Sequence, residues 1–292
     1  MASSRDIRRR IKSVGNTAKI TKAMQMVAAS KMRKAQQSAL AGRPYAEAMN
    51  RMLAGLLPAT GDFSHPLMEK RDGGKRCVIL VSTDKGLCGA LNSTLFREAM
   101  KFEKDTTVFI SAGRKAAQFL ARARRTLLAE FGYKDTPQFS EARAICKFVQ
   151  EGFLKGEYDQ VEVLFTNFIS TLTQRPEVLP LLPIREIRGV SSDHHGEDLG
   201  SQLLKGATEF LFEPSAGEVL GALLPHYLNY RMFQVLLEAK ASEHSARMVA
   251  MKNATENANQ LVKDLTLQYN KMRQASITKE LLEIATAQMA LA

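Results

Sequence analysis

The sequence predicts an α/β protein with a long antiparallel coiled coil, formed by the N- and C-terminal helices. A compact α/β domain is inserted in the chain between these two helices. Three observations lead to this prediction. The chain from residue 216 onward is rich in strong helix formers and has no glycine after Gly221. Residues 3–41 repeat small and apolar side chains at spacings of four and three. Between these segments, short apolar runs alternate with helical patterns.

The C-terminal segment is predicted to be one helix from about residue 216 to residue 290. Ser215 and Glu218 have the spacing of a capping box, directly after Pro214. At 1.5 Å per residue this helix would be about 110 Å long, several times the diameter of a small domain. We expect that such a helix is not a core element of a compact fold and that another element lies along it.

The N-terminal helix is the first candidate for that partner. Between residues 5 and 34 it also has ten Lys or Arg residues against one acid, Asp6, so its outer faces are basic. Such a charge run is either a solvated face or a surface for an acidic protein or nucleic acid. No aromatic residue precedes Tyr45, which disfavours single-strand binding by stacking. The heptad stripe comprises Ile7, Ile11, Val14, Ala18, Thr21, Gln25, Ala28, Met32, Ala35 and Ala39, with Ile20, Met24 and Val27 in an adjacent apolar line.

The middle of the chain has the pattern of a parallel, doubly wound sheet, which makes the inserted domain Rossmann-like. Residues 175–187 contain three prolines and are predicted to be an edge strand or a loop, and residues 206–212 a final strand. The domain boundaries that follow are 1–57, 75–213 and 214–292. The four predicted strands cover 77–82, 106–111, 126–131 and 160–168, and the helices between them cover 90–104, 114–124 and 140–154.

Composition limits the environment and the partners. The net charge of +11 and the pI near 9.6 favour acidic partners. Three cysteines, an odd and sparse set, indicate a reducing compartment without a disulfide framework. The chain contains no run of eighteen apolar residues, so no membrane span is predicted. The basic, serine-containing start resembles a transit peptide only weakly, because the helical pattern continues past residue 35.

Two segments are candidates for chemical sites. The turn Asp84-Lys-Gly-Leu-Cys-Gly89 lies between a strand and a helix, where phosphate can bind. It lacks both the G-x-G-x-x-G spacing and the Walker lysine-serine pair of nucleotide-binding loops. A tight structural turn is the favoured interpretation. His194 and His195, beside three acids, could bind a metal, but adjacent ligands on one loop favour a solvated loop. The sequence therefore predicts no catalytic, cofactor or metal site.

The C-terminal helix has polar residues where a simple coiled coil would have leucine. One interpretation is register control by polar seam residues. The other is that this face meets other chains. The positions are Ser242, Ser245, Asn253, Asn257, Asn259 and Gln260.

Four strings of the chain, in order along its whole length, resemble the gamma subunit of F-type ATP synthases. They are Ile20-Thr-Lys-Ala-Met-Gln-Met-Val-Ala-Ala-Ser-Lys-Met-Arg-Lys-Ala35, Asp84-Lys-Gly-Leu-Cys-Gly-Ala-Leu-Asn92, Ala241-Ser-Glu-His-Ser-Ala-Arg-Met-Val-Ala-Met-Lys252 and Tyr269-Asn-Lys-Met-Arg-Gln-Ala-Ser-Ile-Thr-Lys-Glu280. The chain departs from the family at Ala287-Gln288, where a Gly-Ala pair is usual. It has no cysteine pair between Val190 and Phe212, so the redox insert of chloroplast subunits is absent.

The resemblance implies a central-stalk rotor that couples proton-driven rotation of a c-ring to conformational changes in catalytic beta subunits. The coiled coil would lie inside a ring of alpha and beta subunits, and the α/β domain would lie with epsilon on the c-ring. Nucleotide chemistry would belong to beta, so this chain would have no catalysis and no cofactor of its own. The resemblance places contacts with the ring near Met24, Arg247, Gln274 and Thr278. It implies a peripheral membrane protein on the cytoplasmic face of the bacterial inner membrane.

Two other classes of function remain open from the residues alone. One is a coiled-coil scaffold that binds nucleic acid, suggested by the charge. The other is a nucleotide-dependent α/β enzyme with helical arms for dimerisation. Co-purification with alpha, beta and epsilon subunits would distinguish the rotor from both.

Overall fold

A computed structural model describes residues 4–42, 44–45, 48–49, 52, 65–71, 73–184, 213 and 215–291. The chain divides into two compact units, and each is described separately. The coiled-coil unit comprises residues 1–28 and 247–292, and the sheet unit comprises residues 29–246. Both predicted terminal helices are confirmed, as α1, Ser4–Ala41, and α5, Ala216–Leu291. The remaining elements are β1 Arg76–Val81, α2 Leu91–Ala99, β2 Thr107–Ala112, α3 Arg114–Arg122, β3 Leu127–Phe131, α4 Phe139–Leu154, β4 Gln160–Phe168 and β5 Gln174–Leu182.

In the described part of the sheet unit, five strands form one sheet in the order β3-β2-β1-β4-β5. The first four strands are parallel, as predicted, and β5 is an antiparallel edge strand paired with β4. Pro176 and Pro180 lie opposite Thr166 and Glu162 in this pairing. Proline has no N–H to donate, so an edge strand is the position in which a sheet tolerates it. The structure thereby resolves the choice between an edge strand and a loop.

Apolar residues of β1 are buried on both faces of the sheet, which explains why that strand is an unbroken apolar run. Ile79 and Val81 belong to the cluster that includes Ile145 and Phe153 of α4. Val78 and Leu80 belong to a second cluster, with residues of α2 and α3. The helices α2 and α3 end at Ala99 and Arg122, a few residues earlier than predicted.

The first part of α5 contributes to this core, contrary to the expectation that the long helix is not a core element. Leu224, Met232 and Leu236 are fully buried in the cluster on the α4 side of the sheet. The expectation treated the helix as a single body. Residues 216–246 in fact pack in the sheet unit, whereas residues from 247 onward belong to the coiled-coil unit.

The coiled-coil unit follows the predicted heptads. Ile7, Ala18, Thr21 and Ala28 are buried on α1, and Met251, Ala258 and Leu265 are buried at seven-residue intervals on α5. The Thr21 and Thr255 hydroxyl oxygens lie 2.7 Å apart. From that pair, an antiparallel register places Ala18 opposite Ala258 and Ile11 opposite Leu265, so apolar positions of one helix meet those of the other.

Three predictions fall on residues outside the described part of the chain. They are the strand at 206–212, the loop with His194 and His195, and most of the helix at 45–57. Among the described helices, none combines the length and the apolar character needed to cross a membrane.

Candidate partner interface

The end of α5 extends past its partner helix. The antiparallel register places Ser4, the first residue of α1, opposite Met272, and every side chain from residue 273 to residue 289 is exposed. Ile277, Leu281 and Ile284 form an apolar row at spacings of four and three, with 49%, 62% and 60% of each residue exposed. We call this row the tip stripe. Such a row in water is the pattern of a helix that packs against another protein.

Two of the predicted contact residues lie beside the tip stripe. Gln274 and Thr278 are exposed and one helical turn apart, and the Thr278 hydroxyl donates to the Gln274 carbonyl at 3.0 Å. They therefore share one face of α5 with Leu281. The sequence expectation placed these residues at a partner surface, and their exposure leaves them accessible to one.

The other two predicted contact residues lie far from the tip. Met24 and Arg247 are both partly buried in the coiled-coil unit. Arg247 precedes Gln274 by twenty-seven residues, about 40 Å along an α-helix. Beside Met24, Ile20 and Val27 are more than half exposed, so this second apolar line of α1 faces solvent. The structure thus separates the four residues into a tip pair and a pair near residue 247.

The α1 surface in this unit is strongly basic. Among residues 4–28 there are seven Lys or Arg residues and one acid, Asp6. All seven are exposed: Arg5, Arg8, Arg9, Arg10, Lys12, Lys19 and Lys22. A one-signed surface attracts an acidic partner over roughly a Debye length, about 8 Å at physiological salt, without fixing one contact.

The segment at residues 84–89 is a structural turn, as favoured from sequence. Leu87 and Gly89 both have positive φ, 63° and 60°. The Asp84 carboxylate accepts a hydrogen bond from the Arg114 N–H at 2.9 Å, and the Ser82 hydroxyl accepts one from the Ala116 N–H at 2.7 Å. These side chains satisfy free N–H groups at the start of α3, which gives Asp84 of the turn a structural role.

The C-terminal signature at residues 241–252 has a role that sequence reasoning missed. The Ser242 hydroxyl donates to the Thr166 carbonyl at 2.9 Å, and the Ser245 hydroxyl donates to the Thr171 carbonyl at 2.8 Å. Both serines are fully buried. They attach α5 to β4 and to the turn that follows it, within the sheet unit.

Both interpretations of the polar positions are therefore wrong for Ser242 and Ser245. These serines neither meet another chain nor lie in the coiled-coil seam. Helical periodicity does not reveal which helix segment packs on a sheet, so the sequence grouped them with the seam. The other four positions, Asn253, Asn257, Asn259 and Gln260, are exposed in the coiled-coil unit.

A charge cluster around the buried Lys240 was also missed. The Lys240 ammonium, on a side chain only 1% exposed, lies 2.9 Å from a Glu243 carboxylate oxygen and 3.9 Å from an Asp135 oxygen. The Lys31 ammonium lies 2.5 Å from the other Asp135 oxygen. The hydrogen bond from Lys31 lowers the pKa of Asp135, and Lys240 acts in the same direction. Lys240 also lies 4.3 Å from the centre of the Tyr133 ring.

Comparison with known proteins gives a consistent result. The family model described as ATP synthase matches residues 3–291. The ATP synthase gamma chain of Opitutus terrae is 50% identical over 294 residues, with all of both chains covered. A chain from the Tetrahymena thermophila mitochondrial ATP synthase central stalk and c-ring structure is 25% identical, with a TM-score of 0.59 over 80% of this chain and 99% of that one.

The fold is also shared with a chain of the Euglena gracilis mitochondrial ATP synthase structure that contains OSCP, F1 and the c-ring. The TM-score is 0.68 at 19% identity, over 99% of this chain and 94% of that one. At this identity the likeness concerns the fold alone. The family match over almost the whole chain and the full-length relative lead to one conclusion: the chain belongs to the ATP synthase gamma chain family.

Proposed function

We propose that this chain is the central-stalk rotor of an F-type ATP synthase, coupling proton-driven rotation of a c-ring to conformational changes in catalytic beta subunits. Family membership sets the class of protein. The observation that carries the proposal for this chain is the end of α5, where an exposed apolar row continues past the register of Ser4, the first residue of α1. A surrounding ring of alpha and beta subunits would cover that row.

Rotation can do chemical work only if the shaft contacts each beta subunit differently. A ligand or partner shifts a conformational equilibrium by its difference in affinity for the two states. A coiled coil of two unlike helices is asymmetric: α1 is basic and begins at the register of Met272, whereas α5 continues past that register with an apolar row. In a near-threefold ring, each beta subunit would meet a different side of this shaft.

The contact residues of the proposal are Met24, Arg247, Gln274 and Thr278. Gln274 and Thr278 would touch the ring beside the tip stripe, and Met24 and Arg247 would touch it at the other end of the coiled-coil unit. The exposed basic residues of α1 would face acidic segments of beta. Charge attraction of this kind centres a shaft without locking it at one angle.

The remaining parts of the proposal concern chemistry and location. Nucleotide binding and hydrolysis would belong to beta, so this chain would act without catalytic residues or a cofactor. Its three domains would be 1–57, 75–213 and 214–292. The first and the last would form the shaft, and the α/β domain at 75–213 would form the base of the rotor. The base would contact epsilon and the c-ring, and the chain would be peripheral to the cytoplasmic face of the bacterial inner membrane. The Tetrahymena structure, which comprises a central stalk together with a c-ring, supports the c-ring contact in this proposal.

A co-purification experiment tests the proposal. The tagged chain, expressed with its alpha, beta and epsilon subunits, should recover all three in fixed proportion. A variant truncated after Met272 should lose affinity for the alpha–beta ring, because it lacks the tip stripe, yet should retain epsilon. Recovery of nucleic acid without these subunits would contradict the proposal, as would unchanged recovery of the ring by the truncated variant.

A further inference from the structure

Asp135 joins both terminal helices to the sheet. Its two carboxylate oxygens have different partners: Oδ2 lies 2.5 Å from the Lys31 ammonium of α1, and Oδ1 lies 3.9 Å from the Lys240 ammonium of α5. Asp135 itself lies four residues after the end of β3, which is at the opposite edge of the described sheet from β5. All of these groups belong to the sheet unit.

The loop that presents Asp135 is held at both ends. Before it, the Tyr133 hydroxyl donates to the Ser82 carbonyl at 2.9 Å. After it, the Glu141 carboxylate accepts hydrogen bonds from the Lys134 and Gln138 N–H groups at 3.1 and 2.8 Å. A carboxylate on a loop fixed in this way has a defined position relative to the sheet.

The α5 side of the link is buried. Lys240 is 1% exposed, and a buried ammonium requires compensating charge. Glu243 supplies part of it from the same helix, at 2.9 Å, but that pair adds no link to the sheet. The Tyr133 ring and the Asp135 carboxylate are tertiary partners of Lys240, and both come from the segment after β3.

We propose that Asp135 is a positioning residue that fastens the sheet-unit segments of α1 and α5 jointly to the edge of the sheet, so that these segments and the sheet turn together. This inference rests on the proposed rotor function, in which torque passes between the helices and the α/β domain. One carboxylate shared by two lysines resists sliding of either helix against the sheet. The sheet unit includes α1 from residue 29 onward and α5 up to residue 246. Lys31 and Lys240 lie two and six residues inside these limits.

Torsional stiffness in the assembled complex tests this role. A probe is attached through Lys104→Cys, an exposed position just before β2, and its angular fluctuation is recorded while the complex waits for ATP. Asp135→Asn should broaden the distribution of angles, with the unloaded rotation rate unchanged. Asp135→Glu should restore part of the stiffness. The matched control is Asp105→Asn, which makes the same change of charge at an exposed site in the same unit.

The outcomes are distinct. If the distribution of probe angles for the Asp135→Asn complex is as narrow as that of the parent, the proposal is overturned. This holds even if the melting temperature falls, since a residue that only stabilises the fold would change the melting temperature and not the angular distribution. If the Asp135→Asn chain does not assemble, the Lys31→Gln variant is measured instead, because it alters only the partly exposed lysine. A broader distribution of probe angles in that variant supports the link, and an unchanged distribution overturns it. Failure of the parent chain to assemble or rotate would instead refute the rotor function.

Discussion

The hydroxyl oxygens of Thr21 and Thr255 lie 2.7 Å apart across the coiled coil, between buried residues of the seam that are apolar, among them Ala18 and Ala258. Each hydroxyl also lies within hydrogen-bond distance of a carbonyl of its own helix, Thr21 of the Ala18 carbonyl at 3.1 Å and Thr255 of the Met251 carbonyl at 2.8 Å. A hydroxyl has one hydrogen, so one threonine donates across the seam while the other donates to its own helix. The pair marks one register of the two helices. A shift by one heptad would place each threonine against an apolar side chain.

The first prediction concerns this pair. Thr21→Val should lower the free energy of unfolding by about 0.5–1.5 kcal/mol, the usual net value of one hydrogen bond. Adding Thr255→Val should recover most of that loss, because two valines replace the polar pair with apolar contact. Urea unfolding of the two single variants and the double variant gives the coupling energy. Strictly additive effects would show that the hydroxyls do not interact.

The second prediction concerns the tip stripe. Leu281→Gln should weaken assembly with the alpha–beta ring, because it places an amide in an apolar contact, while the isolated chain changes in stability by no more than about 0.5 kcal/mol, as at other exposed sites. Sedimentation of the reconstituted complex measures the assembly. Leu172→Gln, at an exposed residue of the β4–β5 hairpin, is the control and should have no effect on the ring.

A third prediction concerns coupling. Met24→Lys adds a charge beside the exposed line of Ile20 and Val27 and should reduce the protons pumped per ATP hydrolysed. ATP turnover should continue, since the change leaves the beta subunits intact. Proton pumping and hydrolysis are measured together in vesicles. If the two stay linked as tightly as in the parent, Met24 does not face the ring.

A fourth prediction separates two glycines. Gly113 has φ of 101°, and a Cβ there would lie 2.3 Å from the Ser82 carbonyl oxygen, so Gly113→Ala should lower the free energy of unfolding by about 2 kcal/mol or more. Gly15 lies within α1 with no atom within 4 Å of a Cβ, so Gly15→Ala should raise the free energy by about 0.5–1 kcal/mol. Thermal melting measures both. Effects of equal sign would contradict the backbone argument.

A fifth prediction concerns pH. The pKa of Asp135 is lowered, first by the hydrogen bond from Lys31, so its ion pairs stabilise the fold above the ordinary carboxyl pKa, about 3.9. That stability is lost as pH falls through the lowered pKa of the folded state. Asp135→Asn should therefore reduce stability near pH 7 and make less difference at pH 3. An equal loss at both values, by urea unfolding, would contradict the linkage.

The local patterns of the chain predicted most of the fold. Heptad spacing from Ile7 to Ala35 identified α1, and the apolar run at 77–82 identified β1, because both features depend on neighbours within one element. The family resemblance placed ring contacts near Gln274 and Thr278, whereas the exposure of α5 from residue 273 to residue 289 was established by the structure.

Contacts between distant segments were not predictable in the same way. Nothing in the pattern around Asp135 connects it to Lys31, 104 residues away, or to Lys240. Ser242 and Ser245 likewise look like coiled-coil positions until the sheet is in place. Such contacts depend on how elements pack, and a single sequence records packing only as burial periodicity.

The central claim is that the chain rotates within the alpha–beta ring. Its cysteines Cys77, Cys88 and Cys146 are all buried, so a probe on Lys104→Cys would label one exposed site. With the ring fixed to a surface and ATP supplied, the probe should turn in one direction, with three equal steps in each full turn. A probe that stays at a fixed angle while the ring hydrolyses ATP would contradict the account.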